Sequence, residues 1–173
     1  GETIRVLVVE GSASARELLA ELVGGDARFQ VVATASDGQE AVDLNARLRP
    51  DVIVMNMLLP RLDGIGATRR IMAETPTPIV IFRTGAAIDD TEALQAGAVS
   101  IVEMRLGAAE AGYAQAVHEL LTAIRLMAEV KVVRRPASGV RRGPISVPPY
   151  DPTAPIAIAR RRPALVVLAA STG

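Results

Sequence analysis

The sequence contains neither cysteine nor tryptophan, and it has only two phenylalanines, two tyrosines and one histidine. The absence of cysteine excludes disulfides and thiol chemistry, and the single imidazole, that of His118, argues against a zinc-type metal site. With so few aromatic side chains, the core must be built from Val, Ile, Leu, Ala and Met, as is typical of a parallel sheet covered by helices. No apolar run is long enough to span a bilayer and no signal peptide opens the chain, which predicts a cytoplasmic protein.

The chain as a whole has no excess of charge of either sign, but its two parts differ. Residues 1–130 carry 11 arginines against 18 acids, whereas residues 131–173 carry seven arginines and Lys131 against Asp151 alone. Opposite charges of this size should draw the two parts together or direct the basic part to another anion. The arginine clusters lack interleaved aromatics and a recognition helix, so nucleic-acid binding ranks last among the functions considered.

Short apolar runs alternate five times with stretches of helical periodicity. The predicted strands cover residues 4–9, 29–33, 51–55, 78–82 and 99–102. The predicted helices run from a cap at Ser12 to Gly24, from Asp37 to Leu48, and over residues 65–73, 91–96 and 109–129. This alternation predicts an α/β protein with a five-stranded parallel, doubly wound sheet and right-handed crossovers. A site in such a sheet lies beyond the carboxyl ends of the strands, here in the loops after residues 9, 55, 82 and 102.

The composition changes after residue 130. Seven of the 11 prolines lie between residues 136 and 163, beside two arginine pairs and one arginine triplet. Such a composition predicts an extended linker over residues 130–163, following a folded domain over residues 1–129. Residues 164–170 (ALVVLAA) then predict the first strand of a further domain, and Ser171-Thr172-Gly173 follow it. A strand needs neighbours, so its partners are missing from this chain or it docks on the preceding domain.

Several phrases of the sequence resemble response-regulator receiver domains. They are IRVLVV followed by Glu10-Gly11-Ser12, then VVATASDGQEAV, RPDVIVMNMLLPRLDG, TPIVIF and AGAVSIV. The similarity covers residues 3–128 and implies the flavodoxin-like (βα)5 receiver fold. The phrases RPDV, PRLDG and TPTPIV are most similar to the receiver of the chemotaxis protein-glutamate methylesterase. In that family a linker leads to a catalytic domain that opens with a G-A-S-T-G-G phrase, to which LVVLAASTG at 165–173 is similar.

The resemblance also implies a pocket, which this sequence matches poorly. In receivers two acids after the first strand hold Mg²⁺, and an aspartate after the third accepts a phosphoryl group. A Ser or Thr after the fourth strand and a Lys-Pro pair after the fifth complete the pocket. The corresponding residues here are Glu10 and Gly11 for the acidic pair, Asn56 for the phosphoacceptor, Arg83 (with Thr84 next to it) for the hydroxyl, and Met104-Arg105 for Lys-Pro.

These replacements remove the chemistry of the pocket. An amide such as that of Asn56 is a neutral, poor nucleophile and cannot form an acyl phosphate. Mg²⁺ prefers hard, charged oxygen ligands, so we expect neither a metal nor a cofactor here. Met104 cannot supply the positive charge of the lysine. We therefore interpret the domain as a natural pseudo-receiver.

Two interpretations of Arg83 stay open at this stage. Arg83 could reach Glu10 across the pocket and form a charge-assisted pair where metal and phosphoryl would otherwise sit, which would fix the domain in one state. Alternatively, Arg83 is a solvated surface residue. His118, Glu103 and Arg105 are also expected to lie at the surface. Asn56 is expected to satisfy backbone groups without doing chemistry, and Met104 to fill the core.

The first functional hypothesis is a regulatory module that binds a signalling protein without being phosphorylated. The resemblance implies a partner surface that includes parts of 88–105 and the exposed side of 109–129. The partner would be a chemotaxis or two-component protein or the absent methylesterase domain. Self-association through 88–129 or through the tail is a further option, and no membrane is involved.

The alternative is the N-terminal fragment of a receiver-regulated protein-glutamate methylesterase. Ser171 matches the position of the nucleophile in that family, but a serine nucleophile needs a histidine base and an orienting acid. Later sequence would have to supply both. In this chain alone we therefore expect Ser171 to be inert and the protein not to be an enzyme.

Overall fold

The computed structural model describes residues 2–84, 90–104 and 112–133. The strands are β1 (Ile4–Val9), β2 (Phe29–Ala35), β3 (Val52–Asn56), β4 (Ile79–Arg83) and β5 (Ser100–Glu103). The helices are α1 (Ala13–Gly24), α2 (Gly38–Leu48), α3 (Gly64–Glu74), α4 (Asp90–Ala96) and α5 (Tyr113–Ala128). Most of the predicted linker, the segment 164–173 with Ser171, and Arg105 lie outside the described residues.

The strands form one parallel sheet in the order β2-β1-β3-β4-β5, which confirms the predicted fold. After β1 the chain crosses to one side of the sheet, and after β3 it crosses to the other. The carboxyl ends of β1 and β3 therefore flank the crevice in which doubly wound sheets place their sites. Val9 lies opposite Met55 in the ladder between these strands, so Glu10 and Asn56 follow side by side.

The central strands β1, β3 and β4 are largely buried on both faces, and the side chains of the sheet alternate between two core layers. One layer joins residues such as Leu7, Ile53 and Ile81 to the inner sides of α2, α3 and α4. The other joins residues such as Val8 and Phe82 to α1 and α5. Continuous runs of Val and Ile serve both layers, which explains why the strands read as unbroken apolar segments.

An Asp-Gly pair opens both α2 and α3. The side chains of Asp37 and Asp63 each accept a hydrogen bond from the backbone N–H three residues later, at 2.9 and 2.6 Å, and so cap their helices. The backbone N–H of Gly38 donates to the carbonyl of Leu62 at 3.1 Å. A Cβ at position 38 would lie 2.1 Å from that carbonyl oxygen, so the contact between α2 and the loop before α3 requires glycine.

Three strands end one residue later than the apolar pattern predicts. Asn56, Arg83 and Glu103 are polar, yet each is the last rung of its strand. Asn56 lies opposite Phe82, and Arg83 lies opposite Glu103. Hydrophobicity alone cannot show that a polar residue continues a ladder.

Helix α5 runs back from the carboxyl edge of the sheet to its amino edge. Its inner side packs through Leu120 and Ile124 on the α1 face, whereas Val132, just beyond the helix, packs against the opposite core layer. The chain therefore contacts one core layer through α5 and the other through Val132. Among the helices of the described ranges, none is long and apolar enough to cross a membrane.

A buried polar cluster joins α2 to the loop before β4. The fully buried side chain of Asn45 donates to the Thr75 carbonyl at 2.9 Å and accepts from the Thr77 hydroxyl at 2.8 Å.

We expect Asn45→Ala to lower the free energy of unfolding by about 2 kcal/mol, because both hydrogen bonds are lost inside the core. Urea denaturation measures this, with Asp43→Ala on the exposed side of α2 as the control. Equal, small effects of both substitutions would contradict the assignment.

Candidate functional site

Glu10 and Asn56 form a direct pair at the carboxyl edge of the sheet. The side-chain amide nitrogen Nδ2 of Asn56 donates to Oε2 of Glu10 at 2.7 Å. Both residues are buried, with 5% of Glu10 and 7% of Asn56 exposed. A hydrogen bond to a carboxylate in such a shielded place is stronger than one between neutral groups in water. The pair therefore ties the end of β1 to the end of β3.

The amide of Asn56 is held in one orientation by a second contact. Its Oδ1 accepts a hydrogen bond from the backbone N–H of Leu58 at 3.0 Å. A flipped amide would direct this oxygen at the carboxylate of Glu10 and the NH₂ group at the N–H of Leu58, and both contacts would be repulsive. The prediction that Asn56 satisfies backbone groups is confirmed, and the partner Glu10 is an addition to it.

The second oxygen of Glu10 is also engaged. Oε1 accepts from the backbone N–H of Ser12 at 2.9 Å, at the point where α1 begins. The guanidinium of Arg16 donates to the backbone carbonyl of Glu10 at 2.8 Å. Glu10 thus accepts hydrogen bonds at both side-chain oxygens and at its main chain, and the β1–α1 loop is fixed around it.

This arrangement does not fit the Mg²⁺ that receivers hold. Glu10 is the one carboxylate at the position of the acidic pair, and its two oxygens already accept from Asn56 and Ser12. Asn56 presents its NH₂ group, a donor, towards the place where an oxygen ligand is required. Within residues 2–84, 90–104 and 112–133, no group of three or more metal-ligating side chains is found.

The second acidic position is closed by its surroundings as well as by its sequence. A Cβ at Gly11 would lie 3.1 Å from Cδ of Pro60, in the loop that follows β3. A side chain at position 11 would thus require Pro60 to give way by a few tenths of an ångström. The β3–α3 loop thus packs closely against Gly11 through Pro60.

Arg83 does not contact Glu10, so the predicted pairing of these two residues is wrong. Its Nε lies 3.2 Å from Oδ1 of Asp90, and its NH2 nitrogen lies 3.8 Å from Oε2 of Glu103. Two carboxylates on α4 and β5 are nearer to Arg83 than Glu10, which lies beyond β3 in the sheet order. The alternative of a solvated arginine is also wrong, because 15% of the side chain is exposed.

The other residues named from the sequence lie away from the Glu10–Asn56 pair or outside the described residues. Met104 is fully buried in the α1–α5 core layer, as expected of a core filler. Thr84 and His118 are exposed, and neither belongs to the Glu10–Asn56 pair. Arg105 and Ser171 lie outside the described residues.

Sequence reasoning missed the two acids that meet Arg83. Glu103 is exposed, as expected, and it is also the cross-strand neighbour of Arg83 in the parallel ladder, which was not foreseen. Asp90 is the first residue of α4, where an acid also suits the helix dipole. The usable signal was the alignment of strand ends, which places residues 83 and 103 side by side once the strand order is known.

Comparison with known proteins gives a consistent result. The profile of the family described as response regulator receiver domain matches residues 6–111. A protein-glutamate methylesterase/protein-glutamine glutaminase of Myxococcus xanthus is 43% identical over 99% of this chain and 48% of its own length. One of Syntrophus aciditrophicus is 40% identical over 98% of this chain and 49% of its own length. The chain therefore spans about half the length of these curated relatives.

A solved structure extends the similarity to the backbone. The response regulator domain of Thermotoga maritima CheB is 36% identical and has a TM-score of 0.68. The alignment covers 75% of this chain and 99% of that domain. The similarity in sequence and in backbone thus falls on the same sheet and helices that carry Glu10, Asn56 and Arg83.

Proposed function

The chain belongs to the family of response regulator receiver domains, and from this premise we propose that it is a pseudo-receiver. In this proposal it regulates a partner protein of chemotaxis or two-component signalling by binding, in the cytoplasm, and without accepting a phosphoryl group. The partner would meet a surface that the domain presents at all times.

One observation carries the proposal: the position from which a receiver attacks a phosphoryl group is an amide whose NH₂ donates to Glu10 at 2.7 Å. Nucleophilic attack needs a free lone pair on a basic oxygen, and the Asn56 oxygen instead accepts from Leu58. Receiver phosphorylation also needs Mg²⁺ to neutralise charge on the phosphoryl oxygens. The Glu10 carboxylate is already occupied, which supports a pocket closed to both groups.

The test is the intact mass of the chain after incubation with Mg²⁺ and acetyl phosphate. We expect no added phosphoryl group, while a receiver of known phosphorylation treated in parallel gains one. A mass gain that hydroxylamine removes would reveal an acyl phosphate and overturn the proposal. Glu10 or Asp63 would then be the acceptor to map, since each is a carboxylate near the carboxyl edge of the sheet.

A second candidate function follows from the comparisons. The relatives of M. xanthus and S. aciditrophicus match nearly the whole of this chain, including the part after α5, and are about twice its length. We propose as the alternative that the chain is the N-terminal part of a methylesterase-like protein. In that protein the segment 164–173, with Ser171, would open the catalytic domain after the linker 130–163.

Coding sequence downstream of Gly173 separates the two candidates. The alternative expects a continuing reading frame that encodes a histidine and an acid able to serve Ser171. If it continues so, methylesterase activity of the longer protein should be independent of acetyl phosphate and should fall on Ser171→Ala. Activity that rises with acetyl phosphate would contradict the pseudo-receiver proposal in the longer protein too.

A further inference from the structure

Arg83 joins three elements at the edge of the sheet opposite β2. It is the last residue of β4, Asp90 is the first residue of α4, and Glu103 is the last residue of β5. Its guanidinium lies 3.2 Å from the carboxylate of Asp90 and 3.8 Å from that of Glu103. We call these three side chains the Arg83 bridge.

The two closest atoms of the bridge are shielded from solvent, although 40% of the Asp90 side chain is exposed. Nε of Arg83 and Oδ1 of Asp90 are both buried, and they meet as an ion pair without the alignment of a hydrogen bond. Water screens such a pair far less than it screens a pair on the surface. Arg83 is the more buried partner, with 15% of its side chain exposed against 40% for Asp90. Loss of Asp90 would therefore leave a largely buried guanidinium beside the more distant carboxylate of Glu103, which is more destabilising than the loss of an exposed pair.

Helix α4 depends on such contacts more than the other helices do. It has seven residues, and the two that it buries, Ala93 and Ala96, have the smallest apolar side chains. An isolated helix of this length does not persist in water, and one methyl group per contact contributes little hydrophobic stabilisation. Charged contacts at the first turn therefore have a large share in keeping α4 on the sheet.

We propose that the Arg83 bridge is a permanent lock, which holds α4 against β4 and β5 in a single arrangement. The inference rests on the proposed function, since it supplies the means by which a pseudo-receiver keeps one surface without a phosphoryl group. In the receiver pocket the position of Arg83 belongs to a hydroxyl residue, which has no charge to hold Asp90 and Glu103. In this chain the same pocket position therefore holds α4, whereas in a receiver it contacts the phosphoryl group.

The chain contains a matched control for the lock. Arg69 of α3 also contacts α4, through Glu92 at 3.7 Å, but these side chains are 57% and 64% exposed. Exposed pairs of this kind contribute little to stability. Arg83 and Arg69 therefore make the same chemical contact with neighbouring residues of one helix turn and differ in burial.

The experiment is native-state hydrogen exchange of the full chain, read at the amides of residues 94–98. The N–H groups of Gly97 and Ala98 donate to Leu94 and Ala93 at 3.1 and 3.0 Å, so they report opening of the end of α4. We expect Arg83→Met to speed exchange there by about tenfold or more, and Arg69→Met by about threefold or less. Arg83→Lys, which keeps the charge, should recover part of the protection.

Equal rates in the two methionine variants would overturn the lock, as would acceleration spread evenly to the amides of β1 and β3. If Arg83→Met fails to fold, Asp90→Asn decides the question, because it removes one charge and keeps the shape. Its control is Glu92→Gln in the same helix turn, which accounts for the loss of an acid near the helix dipole. Asp90→Asn must then release α4 and Glu92→Gln must not.

Failure of the lock and failure of the proposed function are separable. Phosphoryl uptake by the unaltered chain would overturn the pseudo-receiver, whatever the exchange rates are. Unchanged exchange in Arg83→Met would overturn the lock and leave the mass result standing.

Discussion

Asn56→Asp is expected to destabilise the domain strongly at pH 8, by about 2–4 kcal/mol in the free energy of unfolding. The substitution restores the residue type of a phosphoacceptor but places a second carboxylate 2.7 Å from the buried Glu10. It also removes the NH₂ donor that Glu10 uses. Chemical denaturation of variant and unaltered chain at several pH values measures the difference.

The sign of the pH dependence identifies the cause. Two adjacent carboxylates share protons, so at least one pKa of the pair in the variant is raised above its unfolded value. A group with a raised folded pKa stabilises the fold at low pH, and this contribution is lost as the pH rises through that pKa. The deficit of Asn56→Asp should therefore shrink from pH 8 towards pH 5.

Two further variants make the interpretation specific. Glu10→Gln combined with Asn56→Asp restores a carboxylate–amide pair with the roles exchanged, and should recover much of the lost stability. Gln30→Glu adds the same charge on the exposed side of β2 and should have little effect. A deficit that is independent of pH, or one that Glu10→Gln does not relieve, would show that charge repulsion is not the cause.

Gly38→Ala is expected to be among the most destabilising single-methyl changes in the chain, with a loss of about 3 kcal/mol or more. The added Cβ would lie 2.1 Å from the carbonyl oxygen and 2.9 Å from the carbonyl carbon of Leu62, both of which are backbone atoms. Relief requires α2 and the loop before α3 to separate. That movement also breaks the hydrogen bond from the Gly38 N–H to Leu62.

Gly24→Ala is the matched control for this prediction. Gly24 ends α1, and the nearest atom to a Cβ there would be Cγ2 of Val31 at 3.9 Å, an ordinary contact. Because alanine favours helix, Gly24→Ala should be neutral or stabilising by up to about 1 kcal/mol. Thermal unfolding of both variants provides the comparison, and similar midpoints for the two would refute the close approach at Gly38.

The sheet could be predicted from the sequence because both of its faces are covered. Burial on two sides forces continuous Val and Ile runs, so strands such as Ile4–Val9 stand out without an alignment. The Asp-Gly pair at Asp37 and Gly38 marked a helix start in the same direct way, through cap chemistry. Both features can be read from a short stretch of sequence, so they can be recognised without knowledge of the fold.

The partners within the site could not be predicted so directly, because they depend on strand order. Glu10 follows β1 and Arg83 ends β4, and attraction between opposite charges suggested that they pair. The order β2-β1-β3-β4-β5 places β3 between them, which brings Asn56 to Glu10 and leaves Arg83 to Glu103. Adjacent strands lie about 4.8 Å apart, so one intervening strand is enough to change the nearest partner.

The path of the chain after α5 has a geometric consequence for whatever is joined to the domain. Helix α5 has 16 residues and therefore spans about 24 Å, from the edge that holds the Glu10–Asn56 pair to the opposite edge, where Val132 packs. The covalent attachment and the pocket thus lie at opposite poles of the domain. The point of attachment of anything joined beyond residue 133 is thus separated from the Glu10–Asn56 pair by about the length of α5, and the attachment itself does not touch the pair.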